Sequence, residues 1–339
     1  MCGIIGFTGN LQAPGILVDG LQQLEYRGYD SAGIAVNNGS ETKIVKTTGK
    51  VATLREKVEA AAGLAGTCGI GHTRWATHGG VTEVNAHPHV SGNVTLIHNG
   101  IIENYKELAA SLKAKGFTAI SETDTEVAAM LIDSLYDGDP FAALKEADQM
   151  LEGAYGFCVM FKDHPGKIYC MRNASPLVAS HTEDGSFIAS DMVALLKYTK
   201  DYFVVPEEHI VVMKADSITL YTMDGTVVEP KMLHVDWDTT AAQKGGYDFF
   251  MQKEIYDQPE ALHNTIMPRI HNGHADFSAD NISDDIFKGV NRVIVTACGT
   301  AWHAGLVGRH LIEAMIRIPV TVELASEFRY MNPILDEHT

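Results

Sequence analysis

The amino terminus restricts this chain more than any other stretch, because Met1-Cys2-Gly3-Ile4-Ile5-Gly6 places a cysteine directly before an apolar run. If Met1 is removed, Cys2 carries a nucleophilic thiol and a free α-amine on one Cα. An α-amino group has a pKa of roughly 7.7–8.0, so it can act as a base near neutral pH. Ile4 and Ile5 predict a buried strand that holds this terminus still. The pattern favours an N-terminal nucleophile activated by its own amine, although a cysteine that is merely buried gives the same start.

Composition limits the class of protein. At 339 residues the chain suits about two domains. Its formal net charge of −17 argues against nucleic acid and anionic membranes as partners. The five cysteines are widely spread and form no CxxC pair, so neither a disulfide framework nor a cysteine zinc site is indicated. No signal peptide and no run of about eighteen apolar residues is seen. We therefore expect a cytoplasmic enzyme.

Apolar periodicity gives a coarse order of elements. Apolar residues three or four positions apart predict helices at 17–24, 51–58, 105–112 and 123–131, the last opened by a capping box from Thr123 to Glu126. Short apolar runs predict strands at 34–36, 68–73, 94–98, 157–161, 168–171, 187–189, 210–213 and 218–221. A helix is expected near 192–198, a long loop at 74–92 and a turn at Asn99-Gly100. This mixture indicates a layered α/β or α+β domain.

The last third of the chain has a different pattern. A polar linker is expected at 237–248, followed by a helix over Phe250–Leu262 that Pro259 interrupts. Val293–Ala297 predicts a continuous apolar strand of the parallel-sheet kind, and Cys298-Gly299-Thr300 turns into a helix with Leu311 and Met315 inside. Val320–Leu324 predicts a second strand. A single βαβ unit cannot complete a doubly wound sheet, so we expect a truncated second domain in a fragment of a longer gene product.

Two charged residues suit a zwitterionic ligand. Arg74 follows a predicted strand, and its planar guanidinium can pair with an α-carboxylate through two hydrogen bonds. Asp124 begins a predicted helix and could bind the α-ammonium group of the same amino acid. Both residues could equally be solvated or structural.

The segment His98-Asn99-Gly100 can stabilise negative charge. The Asn99 side-chain NH₂ and the Gly100 backbone N–H could donate to a developing oxyanion. Asn-Gly is also a common hairpin turn, but a helix-forming stretch follows rather than a second strand.

Five histidines close together raise the question of a metal site; they are His72, His78, His87, His89 and His98. Zinc usually needs three or four ligands at motif spacing. His87-Pro88-His89 is expected to place its two rings on opposite sides of an extended segment. We therefore expect hydrogen-bonded scaffold histidines and no metal.

An ordered series of motifs carries a family resemblance, namely residues 2–6 (CGIIG), 25–33 (EYRGYDSAG), 72–79 (HTRWATHG), 85–89 (NAHPH), 98–100 (HNG), 121–126 (SETDTE) and 251–255 (MQKEI). The chain resembles the glutamine–fructose-6-phosphate aminotransferase (isomerizing) family from Cys2 to its end. The resemblance implies an α+β fold: a four-layer αββα N-terminal-nucleophile glutaminase domain at 2–236, then the start of an α/β sugar-isomerase (SIS) domain with a doubly wound parallel sheet at 249–339.

The resemblance also implies residue roles. Cys2 is the nucleophile and its amine the base, in a mature protein that starts at Cys2, while Asn99 and Gly100 form the oxyanion hole. The residues implied to hold glutamine are Arg74, Thr77, His78 and Asp124, with Trp75 as gate of an ammonia path and Cys298, Gly299 and Thr300 as part of a sugar-phosphate site. Members need no metal or organic cofactor and are commonly homodimers or larger.

The implied reaction transfers ammonia from L-glutamine to fructose 6-phosphate, giving glucosamine 6-phosphate and glutamate. The family turn Cys-Gly-Thr-Ser-Tyr here ends in Ala301-Trp302, which removes a hydroxyl expected near the sugar. The isomerase residues that the family carries further on are absent, so this chain alone is expected to hydrolyse glutamine only.

Two other hypotheses stay open. A class II amidotransferase with another acceptor, such as a phosphoribosyl or asparagine-forming enzyme, is disfavoured by the Val293–Thr300 and Met251–Ile255 segments. An SIS-type sugar-phosphate sensor with an inactive glutaminase is the second, and Ala301 is the residue that favours it.

Overall fold

The structure, a computed structural model, describes residues 2–236 and 246–339. The chain divides into two compact units between residues 245 and 246. Met1 and residues 237–245, which hold most of the predicted linker, lie outside the described residues. None of the helices in the described ranges is long and apolar enough to cross a membrane.

Over residues 2–236, the first unit contains two sheets and five α-helices. Its strands are β1 (Gly3–Gly9), β2 (Ser31–Asn37), β3 (Thr42–Thr48), β4 (Cys68–Arg74), β5 (His89–Ser91), β6 (Val94–Ile102), β7 (Gly153–Phe161), β8 (Ile168–Asn173), β9 (Val178–Thr182), β10 (Gly185–Ala189), β11 (Asp201–Val204), β12 (His209–Met213), β13 (Ile218–Thr222), β14 (Val227–Val228) and β15 (Leu233–His234). Its helices are α1 (Ala13–Leu24), α2 (Val51–Ala60), α3 (Tyr105–Ala114), α4 (Asp124–Leu135) and α5 (Pro140–Met150).

The strands form two antiparallel sheets that pack face to face. One sheet has the order β15-β11-β9-β10-β1-β4-β2-β3, and the other has the order β14-β13-β12-β8-β7-β6-β5. Apolar side chains from both sheets, Ile4, Ile70, Ile97 and Cys158 among them, fill the space between the sheets. A second core lies between the first sheet and helices α1 and α2, and a third between the second sheet and helices α3 to α5. This arrangement confirms the predicted αββα sandwich for the first unit.

Sequence periodicity did not predict several of the observed elements. Strands β3, β5, β9 and β11 and helix α5 were not predicted, and the helix expected near 192–198 is only a 3-10 turn, Met192–Ala194. Strand β3 alternates lysine with apolar residues and is only partly buried, so it lacks a continuous apolar run. Helix α5 has a recognisable start, because the Asp139 side chain accepts hydrogen bonds from Phe141 N and Ala142 N.

The turn predicted at Asn99-Gly100 is wrong. Both residues continue strand β6, where Asn99 lies opposite Gly156 and Gly100 opposite Tyr155 on β7. Gly100 has a φ of +132°, and a Cβ there would lie 1.9 Å from the carbonyl oxygen of Ala154. Glycine is therefore needed inside the strand, because both the backbone angle and the space exclude a side chain.

Only one of the two hydrogen bonds of the predicted capping box forms at the start of α4. The Thr123 hydroxyl accepts the Glu126 N–H at 3.2 Å, as predicted. The Glu126 carboxylate, however, accepts the N–H groups of Ile120 and Ser121 instead of that of Thr123. Glu126 therefore fixes the approach to the helix.

The second unit holds helices α6 (Phe250–Ile266), α7 (Gly299–Ile316) and α8 (Ala325–Tyr330) and strands β16 (Ile270–His271), β17 (His274–Ala275), β18 (Val293–Ala297) and β19 (Val320–Leu324). Strands β18 and β19, which precede and follow α7 in the sequence, pair in parallel. This pairing confirms the predicted βαβ unit. The larger doubly wound sheet stays a prediction.

Two details of this unit were predicted wrongly. Helix α6 runs through Pro259 without interruption and gives up one backbone hydrogen bond there. Leu311 and Met315 on α7 are 59% and 79% exposed rather than inside.

Candidate active site

The position of Cys2 is fixed by the strand that follows it. Strand β1 begins at Gly3, opposite Thr73 on β4. A Cβ on Gly3 would lie 2.6 Å from the Thr73 hydroxyl, so only glycine allows this close approach. The buried Ser190 hydroxyl accepts the Ile4 N–H at 3.0 Å and ties the start of the strand. Cys2 itself is partly exposed.

Cys2 contacts two elements that carry predicted site residues. The Trp75 N–H donates to Cys2 Sγ at 3.3 Å, and the thiol lies 3.6 Å from the Trp75 carbonyl oxygen. Asn99 Nδ2 donates to the Cys2 carbonyl oxygen at 3.2 Å. Because Cys2 precedes β1 in one sheet and Asn99 lies on β6 in the other, the site forms where the ends of the two sheets meet.

Burial controls the charge of the sulfur. It raises the pKa of the Cys2 thiol above its ordinary value, and the hydrogen bond with Trp75 opposes this only partly. The sulfur therefore carries its proton at neutral pH. A nucleophilic role would require a base beside it.

Arg74 is buried and orders the loop that follows it. Its guanidinium donates to the carbonyl oxygens of His78, Gly79 and Gly80, with distances of 3.4 Å to Gly79 and 3.1 Å to Gly80. The structural role that the sequence left open for Arg74 is therefore present. A guanidinium has five N–H donors, so these bonds do not use its full capacity.

Asn85 and Glu122 also hold this loop, and sequence reasoning gave neither a role of its own. Asn85 Nδ2 donates to the Gly80 carbonyl at 3.0 Å and to Glu122 Oε2 at 2.9 Å. The Gly80 N–H donates to the same carboxylate at 3.2 Å. These hydrogen bonds lower the pKa of Glu122. Asn85 belongs to motif 85–89 and Glu122 to motif 121–126. Their place in these motifs is the sequence signal that could have identified them.

Asp124 is the first residue of α4 and is 4% exposed. Its Oδ2 accepts the Ile102 N–H at 2.8 Å. His78 Nδ1 lies 4.0 Å from its Oδ1, and Thr77 Oγ1 lies 3.3 Å from the same nitrogen. A helix N-terminus favours a carboxylate here. The predicted glutamine-binding residues Arg74, Thr77, His78 and Asp124 are thus linked through one loop.

The surroundings of Trp75 include another residue without a predicted role. The Asp30 carboxylate accepts the Ala76 N–H, and the Asp30 N–H donates to the Arg74 carbonyl at 3.2 Å. Trp75 is 48% exposed and meets Tyr29 edge to face at 5.7 Å between ring centroids. Asp30 and Tyr29 belong to the quoted motif 25–33.

The histidines form buried contacts. The His87 and His89 ring centroids are 4.9 Å apart, so the expectation of rings on opposite sides is wrong. Burial lowers the pKa of His72 to about 3 and lowers those of His87, His89 and His98 as well. All four are therefore neutral at pH 7. In the described part of the chain, no group of three or more His, Cys, Asp or Glu side chains is placed to hold a metal ion.

The predicted sugar-phosphate residues lie in the second unit. Cys298 is the N-cap residue of α7, and Gly299 and Thr300 form its first turn. They follow β18 directly, so they stand at the carboxyl end of a parallel strand and at a helix N-terminus. Such positions attract anionic groups.

A family model described as a glutamine amidotransferase domain matches residues 72–197. Residues 72–197 therefore match a glutamine amidotransferase domain. The match contains Arg74, Asn99 and Asp124, and it runs from β4 to just beyond β10.

Over its length, the chain is similar to curated proteins named glutamine–fructose-6-phosphate aminotransferase [isomerizing]. It is 44% identical to the protein of Clostridium acetobutylicum and 45% identical to that of Thermus thermophilus over 100% of this chain. It is 46% identical to that of Caldanaerobacter subterraneus over 99% of this chain. The chain spans 56% of the length of each relative. The resemblance predicted from the motifs is therefore confirmed.

A solved structure has a similar fold. Glutamine phosphoribosylpyrophosphate amidotransferase from B. subtilis superposes with a TM-score of 0.60 at 20% identity, over 99% of this chain and 71% of the other. This similarity supports the N-terminal-nucleophile fold class.

Proposed function

We propose that this chain hydrolyses the side-chain amide of L-glutamine, with Cys2 as the nucleophile. The observation that carries the proposal is the meeting of Cys2 with Asn99, whose Nδ2 lies 3.2 Å from the Cys2 carbonyl. A side-chain NH₂ has two hydrogens, so the second one remains for a substrate oxygen.

In the proposed reaction, the Cys2 thiol gives its proton to its own α-amine, and the sulfur attacks the amide carbon of glutamine. The negative oxygen that forms is held by Asn99 Nδ2 and the Gly100 N–H. When the C–N bond breaks, ammonia leaves with the proton from the amine and a glutamyl thioester remains on Cys2. Water then hydrolyses the thioester, releases glutamate and restores the thiol. The amine must be free, so the active protein starts at Cys2.

The proposed glutamine site uses the loop that Arg74 orders. Arg74 would offer its remaining N–H groups to the α-carboxylate, while Thr77 and His78 line the approach. The buried Asp124 would bind the α-ammonium group, since a buried carboxylate is most stable beside a cation.

The proposed fate of the ammonia is transfer to fructose 6-phosphate in the full-length protein, with Trp75 as the gate. Cys298, Gly299 and Thr300 would contribute to the sugar-phosphate site, and the protein would act as a homodimer or larger. We also propose a cytoplasmic location, because five widely spread cysteines without a CxxC pair do not suggest the disulfide framework of a secreted protein.

The test is glutamate release from glutamine by protein whose intact mass shows Cys2 as the first residue. We expect steady release that Cys2→Ala abolishes and that a control change at the exposed Thr53 on helix α2, Thr53→Ala, leaves within about twofold. Glutamate release that does not depend on Cys2, or no release from folded protein, contradicts the proposal. Added fructose 6-phosphate, with detection of amino sugar, tests the transfer separately.

A further inference from the structure

His72 lies behind the proposed oxyanion site without touching the sulfur. It is fully buried on β4. Its Nε2 is 3.1 Å from Asn99 Oδ1 and 3.1 Å from His87 Nδ1. Asn99 thus has one end of its amide at Cys2 and the other at His72.

The hydrogen-bond partners of Asn99 determine the orientation of its side-chain amide. The Cys2 carbonyl can only accept, so the Asn99 NH₂ must face it and Oδ1 must face His72. An oxygen facing His72 Nε2 requires a proton on that nitrogen. His72 Nδ1 then bears a lone pair, and it has no hydrogen-bond partner in the described residues. A buried lone pair without a partner is more readily tolerated than a buried N–H without one.

His72 can serve as a constant donor because it does not titrate near neutral pH. Burial lowers its pKa to about 3. His87 packs on it with ring centroids 4.0 Å apart and offers its Nδ1 lone pair to the same N–H. The donor is therefore neutral and held in place by a second ring.

We propose that His72 is a positioning residue for glutamine hydrolysis, which holds Asn99 Oδ1 so that Nδ2 points to the place where the oxyanion forms. Without this donor, the Cys2 carbonyl alone favours the correct orientation, so the amide is turned over more often and then presents Oδ1, which repels a negative oxygen. The inference rests on the proposed function. It predicts an effect on kcat rather than on KM, because the oxyanion exists only after attack.

The test compares substitutions that differ in the ability to donate at this position. His72→Gln keeps an N–H that can reach Asn99, whereas His72→Asn is polar but shorter, and His72→Phe keeps a ring without a donor. Each is measured for glutamate release and thermal midpoint, beside wild type, Cys2→Ala, Asn99→Ala and the His72→Phe/Asn99→Ala double variant.

We expect His72→Phe to lower kcat by about tenfold or more, with KM within about threefold, since loss of one oxyanion donor lowers kcat by roughly 10²–10³. His72→Gln should retain at least about five times the kcat of His72→Asn, and His72→Phe should have little further effect once Asn99 is Ala.

Equal kcat values for the Gln and Asn variants overturn the proposal, as do losses that multiply in the double variant. If His72→Phe does not fold, the Gln and Asn pair decides alone. Absence of Cys2-dependent glutamate in wild type contradicts the proposed function instead, so the two failures are distinct.

Discussion

At the scale of single residues, the protonation of Cys2 has a consequence for pH dependence. Burial raises the pKa of its thiol, so the sulfur needs a base. The proposed base is the α-amine, which works only when neutral, and its pKa is roughly 7.7–8.0. We expect kcat/KM for glutamine to fall about tenfold per pH unit below this range. A rate that stays constant from pH 8 to pH 6 excludes the amine as the base.

The buried histidines make a separate prediction about stability. The pKa of His89 lies well below its ordinary value in the folded chain because burial disfavours the charged ring. Below about pH 6.5 the unfolded chain binds a proton that the folded chain does not, so each such histidine lowers the free energy of unfolding by about 1.4 kcal/mol per pH unit. Denaturant unfolding at pH 7, 6 and 5 should show this loss, with a smaller slope for His89→Gln. The same slope in both proteins contradicts it.

At the scale of elements, strand β6 depends on Gly100. We expect Gly100→Ala to lower the free energy of unfolding by more than about 3 kcal/mol, because the methyl group would collide with the Ala154 carbonyl at a φ of +132°. The matched control is Gly15→Ala on α1, where a Cβ meets no heavy atom within 4 Å. That change should stabilise by up to about 1 kcal/mol. Similar effects of the two substitutions would refute this role of Gly100.

Strand β6 also shows which features of the fold the sequence could and could not predict. Periodicity located helices such as α2 and α3, because one face of each is buried and the other is exposed. The Asn99-Gly100 dipeptide predicted a turn, because turn preferences depend on the local sequence alone. They do not include the partner strand β7, whose pairing with β6 continues through both residues. The edge strands β3 and β5 were missed because they are only partly buried and lack a continuous apolar run. Sequence motifs identified the candidate site residues. The hydrogen bonds of Asn85, Glu122 and His72 join residues that are far apart in the sequence, so the motifs could not predict them.

At the scale of the whole molecule, the two units differ in their cores. The first contains three clusters of buried apolar side chains. In the second, Val320 is the one apolar residue among those described that is fully buried, and side chains such as Met315 and Ile334 are 79% and 86% exposed. We expect residues 2–236 alone to unfold cooperatively and to keep glutaminase activity. Residues 246–339 alone should show no cooperative thermal transition in circular dichroism, because little apolar area is buried. A sharp transition there contradicts this prediction.

The most direct test of the central claim is to find the thioester. Wild-type protein that starts at Cys2 is mixed with glutamine, quenched in acid within one turnover and digested for mass spectrometry. Cys2 and the exposed Cys298 are the two cysteines that are not buried. We predict a glutamyl group on the peptide that carries Cys2, and much less of it in Asn99→Ala. A glutamyl group on Cys298, or none on Cys2 while glutamate is being released, would contradict the account.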